Sequence, residues 1–238
     1  MIFKPIASSS AGNAYLVTDG TSRLLLEAGI PFKRLQKALN FTAQTLDGCL
    51  ITHEHKDHAG HIKGLLACGV SVYASPGTAQ ALDQEGVTPF LMPEGRNMGP
   101  PFCVASFTVV PFRTFHDAAE PVGYLILGVD GERLVFATDT VGLNYRLPGV
   151  TILALEANYD DEILSQNTRM PETRKKRVRN SHMEINRLCQ YLEGLDLTGC
   201  RELWLLHLSD ASSNEGRFVD LAERAVGPRI IVRAAQKG

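Results

Sequence analysis

The sequence predicts an α+β protein built from two packed β-sheets with helices on their outer faces. Two observations carry this. Short β-type runs separated by turns and interleaved helices fill the first half, and the second half repeats the plan with longer apolar runs, each followed by a helix. Two such series bury their apolar faces most simply as two sheets packed together under helices. The length of 238 residues fits one large domain spanning 1–238, which needs no disulfides to hold a core.

Taken in order, the strand-like runs are 14–17 (AYLV), 23–27 (RLLLE), 48–52 (GCLIT), 70–74 (VSVYA), 103–112 (CVASFTVVPF), 122–129 (VGYLILGV) and 133–138 (RLVFAT). Asp130-Gly131 between the last two is a two-residue hairpin signal. Phe32, Leu35 and Leu39 recur at helical spacing after Pro31. Ser75 reads as an N-cap with Pro76 in the first helical position. In the second half the strands are 150–157, 202–208 and 229–235. The helix between the first two is placed at 181–192. Ser181 and Glu184 form its capping box, and Ile185, Leu188 and Leu192 form its buried stripe. A last helix from about Ser213 buries Phe218, Leu221, Ala222 and Ala225. Segment 160–180 lacks a period, and its stretch 169–179 carries six basic residues against one acid. It is expected to be an exposed basic loop or lid.

Composition excludes several classes. The five cysteines are scattered and never form CxxC, which argues for reduced thiols and a cytoplasmic setting. No apolar run is long enough for a membrane span, and the first residues lack the apolar centre of a signal peptide. The net charge of −2 excludes a uniformly basic nucleic-acid binder but not a local basic patch.

The chemistry concentrates in LITHEHKDHAGH, residues 50–61, which holds four of the seven histidines. Imidazoles and carboxylates are the donors of Zn²⁺, Mn²⁺ and Fe²⁺ sites. His53 and His55 are two positions apart, so in an extended segment they point the same way. Asp57 and His58 turn toward a neighbouring position, and the cluster can feed two metals. Further ligands are expected at other strand ends, where rigid elements aim side chains: His116 after VVPFRTF, Asp139 after LVFAT and His207 after ELWLL.

THEHKDH, the histidine of FHDA, the aspartate of ATDT and the histidine of LLHLS together resemble the metallo-β-lactamase superfamily in its dinuclear form, along nearly the whole chain. The resemblance implies an αββα sandwich with two divalent ions, Zn²⁺ or Mn²⁺, at one edge. His53, His55 and His116 would hold the first ion; Asp57, His58 and His207 would hold the second; Asp139 would bridge them. SSSAGNAYLV, LLLEAGI, FHDAAEPVGYLI, LEANYD and VRAAQKG are similar to the YycJ-type (WalJ) subgroup, whose members are associated with exonuclease action on DNA. That similarity implies a metal-bridging hydroxide as nucleophile, Asp57 orienting it, and His182 as proton donor to the leaving group from the first turn of its helix. Glu27 stands where the subgroup usually has Asp and would support the metal-binding histidines by hydrogen bonds. The subgroup's Gly-His-Leu-Ser-Asn stretch reads NSHMEIN here, so His182 is kept while its neighbours differ. The interval from Asp139 to His207 is too short for a β-CASP domain.

Substrate contacts are expected from Ser10 and Asn13 in the first turn, from Asn158 beyond a strand end, and from Lys175, Lys176 and Arg177 in the basic run, since Lys and Arg supply most non-specific affinity for phosphates. The partner expected is nucleic acid, DNA favoured, or a nucleotide. A cyclic-nucleotide phosphodiesterase is the alternative, with a closed pocket that a homodimer would complete. A glyoxalase II-like thioesterase ranks below it. A metal-holding scaffold without catalysis is opposed by the full ligand set.

Overall fold

The computed structural model describes residues 1–237, and the chain forms two compact units. The first comprises Met1–Arg113 and Ala118–Glu132 with Gln236 and Lys237, and the second Thr114–Asp117 and Arg133–Ala235.

The first unit opens with β1 (Ile2–Ala7), β2 (Ala14–Thr18) and β3 (Arg23–Leu26), joined antiparallel. From β3 onward the pairing is parallel, and parallel neighbours need a crossover. Accordingly α1 (Phe32–Ala38) precedes β4 (Gly48–Leu50), α2 (Lys56–Ala59) and α3 (Ile62–Ala67) precede β5 (Val72–Ala74), and α4 (Pro76–Leu82) precedes β6 (Val87–Pro89). The six strands form one sheet in chain order. Leu25, Leu35, Leu39, Cys49, Ile51, Leu65 and Val72 share its core. Pro89 ends edge strand β6 and removes a donor that would template further pairing. The unit also holds β7 (Phe102–Val104), β8 (Phe107–Arg113) and β9 (Val122–Leu127), paired antiparallel.

The second unit is built on four parallel strands, β10 (Arg133–Ala137), β11 (Ile152–Glu156), β12 (Glu202–Leu206) and β13 (Ile231–Ala234). Between β11 and β12 lie α5 (Asp161–Gln166), α6 (Glu172–Ser181) and α7 (Ile185–Glu193), and α8 (Glu215–Val226) precedes β13. Every residue of β11 is buried, as expected of a strand flanked by parallel neighbours. Helices α7 and α8 pack together and bury Ile185, Leu188, Leu192, Phe218 and Ala222.

Several expectations hold. Ser75 caps α4, its hydroxyl accepting from Thr78 N–H at 3.2 Å. The Asp130-Gly131 turn forms, with Gly131 at φ +81° and Gly128 N–H donating to Glu132 O at 3.0 Å. Three expectations are corrected. The run 103–112 is two strands, reversed at Ala105-Ser106 with Ala105 at φ +49°. No Gly or Pro marks this turn; it is anchored from afar, with Ser106 Oγ donating to Asp19 and Ser106 N–H to Ser22 Oγ. Segment 160–180 is not a loop: Asp160 caps α5 through Glu162 and Ile163 N–H, and α6 follows Pro171. Finally, Ser181 ends α6 rather than capping the next helix, and α7 starts at Ile185 with Glu184 as its N-cap. Among the described residues no helix is long and apolar enough to cross a membrane.

Candidate metal centre

In the first unit, β3 and β4 run parallel, so both C-terminal ends emerge on one side. Glu27 N–H pairs with Leu50 O at 3.0 Å, and the loop 51–55 follows directly and leads into α2, which carries Asp57 and His58. His53 and His58 are buried with their ring centroids 4.2 Å apart, and His53 Nε2 lies 3.1 Å from His55 Nδ1. Glu27 is fully buried at φ +65°, its Oε1 3.7 Å from His58 Nδ1 and its Oε2 accepting from Thr52 N–H at 3.4 Å. A non-glycine residue in the left-handed region costs about 1–3 kcal/mol and persists only when its surroundings over-determine it. Burial raises the Glu27 pKa, against the opposing influence of the His58 ring beside it.

Two residues brace this loop. Asn13 Nδ2 contacts Asp57 O at 3.1 Å and His58 Nε2 at 3.2 Å, while its Oδ1 accepts from Ser9 N–H and Tyr15 Oη–H. Gly29 lets Asp57 pass: a Cβ there would sit 1.7 Å from Asp57 O. The loop therefore depends on a close backbone approach that only glycine permits.

In the second unit, three adjacent parallel strands end in chemistry: Asp139 beyond β10, Glu156 closing β11 and His207 beyond β12. Asp139 at φ +48° and His207 at φ +55° are both left-handed. His207 Nδ1 lies 2.9 Å from Asp139 Oδ1 and 3.3 Å from Glu156 Oε1. His182 Nδ1 lies 2.6 Å from Glu156 Oε1. Asp139, Glu156, His182 and His207 each present a ligand-type atom within 4.8 Å of the others. His116 Nδ1 donates to Ser181 O at 2.8 Å; a carbonyl only accepts, so the lone pair rests on Nε2, which lies 3.5 Å from Asp139 Oδ2. Burial lowers the His116 pKa despite the nearby Asp139.

Glu156 was not anticipated. It is fully buried, and its Oε2 accepts from Thr140 N–H at 2.8 Å and Met183 N–H at 3.1 Å. Burial pushes its pKa up, but the charge and hydrogen bond of His182 and the hydrogen bond of His207 outweigh this and hold it below the usual range. Burial likewise opposes the charged form of His182, yet Glu156 holds its pKa above that of an ordinary histidine. The carboxylate accepts from His182 Nδ1–H, and each group favours the charged form of the other. The signal in the sequence was a single Glu inside the apolar run ILALE, where an acid is rarely buried without partners.

The remaining expected residues sort by exposure. Ser10 is exposed. Asn13 is fully buried and spends its polar atoms on its own chain, so it braces the ligand loop rather than facing substrate. Asn158 is buried and donates to His207 O at 2.8 Å. His182 follows α6 as its C-cap, not a helix first turn, so no helix N-terminus acts on it. In the basic run, Lys175 is buried, its ammonium held by Ser165 O at 3.0 Å and Glu172 at 2.8 Å, and is not available to substrate. Arg177 pairs with Asp117 at 2.9 Å and Arg179 with Asp161 at 2.6 Å, while Lys176 is exposed.

Residues 22–208 match the family model described as the beta-lactamase superfamily domain. The chain is 33% identical over 171 residues to a Streptococcus pneumoniae protein named exodeoxyribonuclease WalJ, covering 67% of this chain and 63% of that relative. It is 29% identical over 224 residues to the exodeoxyribonuclease YycJ of Bacillus anthracis, covering 87% and 82% respectively. Among solved structures, the metallo-beta-lactamase fold protein YhfI from Bacillus subtilis superposes with a TM-score of 0.72 at 19% identity, covering 99% of this chain and 97% of that one. The matched stretch thus spans just under two thirds of the Streptococcus relative's length. Family match and structural likeness agree: the chain belongs to the beta-lactamase superfamily and has the α+β metallo-β-lactamase fold, two mixed sheets with helices.

Proposed function

We propose that this chain is a dinuclear metal-dependent phosphodiester hydrolase that degrades DNA from an end. The observation that carries the reading is the donor set. The first unit gathers His53, His55, Asp57 and His58 in one short segment, the second carries His116 and aims Asp139 and His207 from strand ends, and no cysteine is among them. Imidazole and carboxylate donors without thiolate suit Zn²⁺ or Mn²⁺. The left-handed backbone at Glu27, Asp139 and His207 is the kind of strain that functional sites retain. His53, His55 and His116 would hold one ion, Asp57, His58 and His207 the other, with Asp139 shared. When bound, two such ions acidify water for attack and neutralise phosphate oxygens.

The chain's own groups supply the rest. Asp57 orients the attacking water and takes its proton. His182 carries a proton that Glu156 keeps on the ring, and gives it to the departing oxygen. Glu27 holds His58 from behind, and Asn158 holds the His207 backbone. The exonuclease names of the relatives favour DNA over a mononucleotide.

The test offers the protein, with Mn²⁺ or Zn²⁺, end-labelled single- and double-stranded DNA, RNA and 3′,5′-cyclic nucleotides in parallel, with Asp139→Ala as control. Laddered shortening of DNA, lost in the variant, is expected. Turnover of cyclic nucleotides with polymers untouched would overturn the nuclease reading.

A further inference from the structure

Beside the ligand loop, the first unit carries a groove of about 390 Å³ lined by Lys56, His61 and Lys63, with Glu54, Gly60 and Gln84. Lys56 and Lys63 are exposed and His61 is half-buried. Among the described residues, none of these three side chains makes a hydrogen bond or ion pair. On α6, Lys175, Arg177 and Arg179 are held by carboxylates while Arg174 and Lys176 are exposed; in the groove both lysines are exposed. The one acid lining the groove, Glu54, has its Oε1 engaged, accepting from Ala119 N–H at 2.8 Å. The floor is firm, because Ala59 and Ile62 are buried and His61 N–H is tied to Ala28 O at 2.9 Å. His61 stands within the histidine cluster but is not among the ligands.

We propose that this groove binds a backbone phosphate of the nucleic-acid strand, next to the phosphate being cut. Lys56 and Lys63 supply charge and the His61 ring supplies an N–H. Two unneutralised cations are what a phosphate track requires, and Lys56 stands between His55 and Asp57 in the chain, so the groove adjoins the segment that would hold the phosphate being cut. The inference rests on the nuclease reading and names where the polymer, rather than the scissile group alone, is gripped.

The experiment measures binding of a fluorescent single-stranded oligonucleotide to the metal-free full chain across 50–200 mM salt. Cleavage of the same oligonucleotide and of bis(p-nitrophenyl) phosphate is measured with Mn²⁺. Lys63→Ala is expected to lower the slope of log affinity against log salt by about 0.7, the value for one single-strand phosphate contact. This shrinks the affinity lost over that range by about 2.6-fold. Lys56→Ala with Lys63→Ala is expected to lose about twice as much slope, and Lys63→Glu to bind more weakly than Lys63→Ala. Hydrolysis of the small diester, too short to reach the groove, stays unchanged in Lys63→Ala. Wild-type cleavage of the oligonucleotide with the same affinity and slope in Lys63→Ala and Lys63→Glu would overturn the groove and leave the nuclease standing. Failure of the wild-type chain to bind or cleave any oligonucleotide would overturn both.

Discussion

Replacing Glu156 by Gln separates structure from chemistry. Each Glu156 oxygen has two partners: Oε2 takes Thr140 and Met183 N–H, and Oε1 faces His182 and His207 Nδ1. Glutamine has one acceptor oxygen. Placed toward the two backbone N–H groups, it preserves them and turns its NH₂ onto both histidines, which must then accept at Nδ1. Two hydrogen bonds to a charged group are weakened, each worth about 1.5–3 kcal/mol, while the cost of burying a charge is removed, so the net loss is about 1–3 kcal/mol. For a chain of this size that lowers Tm by about 2–4 °C per kcal/mol. Glu156→Ala goes further. It leaves Thr140 and Met183 N–H buried and unpaired, at about 1–3 kcal/mol each. The chemical effect of Gln is larger than its stability effect. Carboxylate–histidine pairs fix the tautomer of a metal-binding ring, and removing the carboxylate costs about 10–100-fold in metal affinity or activity. Thermal unfolding in chelator gives the first quantity and calorimetric titration with Zn²⁺ or Mn²⁺ the second. Wild-type metal affinity and turnover in a folded Glu156→Gln protein would refute the role given to this carboxylate.

Other expectations follow from the same contacts. Gly29→Ala places a methyl against Asp57 O and should cost several kcal/mol, of the order of other overpacking changes at about 1–3 kcal/mol or more; an unchanged urea midpoint would remove the close approach from the account. His182→Ala should leave metal content intact, measured by mass spectrometry, and slow cleavage of poor leaving groups more than of aryl esters; equal loss on both would remove it from the proton-donor role. Burial tends to raise the Asp19 pKa, but hydrogen bonds from Ser106, Ser22 and Thr21 hold it below the usual value, so its contribution is present above about pH 4 and fades as pH falls through the lowered pKa. Asp19→Ala should therefore be less stable at neutral pH by about 1–2 kcal/mol, the gap closing in acid; a gap independent of pH would refute this.

The helices that read well did so because their signals are local. The stripe Ile185, Leu188, Leu192 and the Ser75 cap depend on residues three or four apart, and both appear where expected. The Ser181–Glu184 pattern misled because Glu184 caps α7 with its own carboxylate, accepting from Arg187 N–H, and α6 runs on through Ser181. The basic run misled because its neutralising groups are not legible in order along the chain: Lys175 pairs with Glu172, Arg177 with Asp117 and Arg179 with Asp161, and the run forms α6 after Pro171.

The sequence by itself determined the types of donor and their order: His53, His55, Asp57 and His58 in one short segment, and Asp139 and His207 each after an apolar strand. Spacing along a strand and the apolar-then-polar pattern are properties of contiguous residues, so they survive without coordinates. The tertiary structure decided what stands behind those donors. Asn13 meets the loop carbonyl of Asp57 across 44 positions, His116 finds Ser181 across 65, and Glu156 gathers four donors from three segments. A buried polar group must find partners wherever the fold brings them, and parallel strands bring their ends together from segments far apart in the chain.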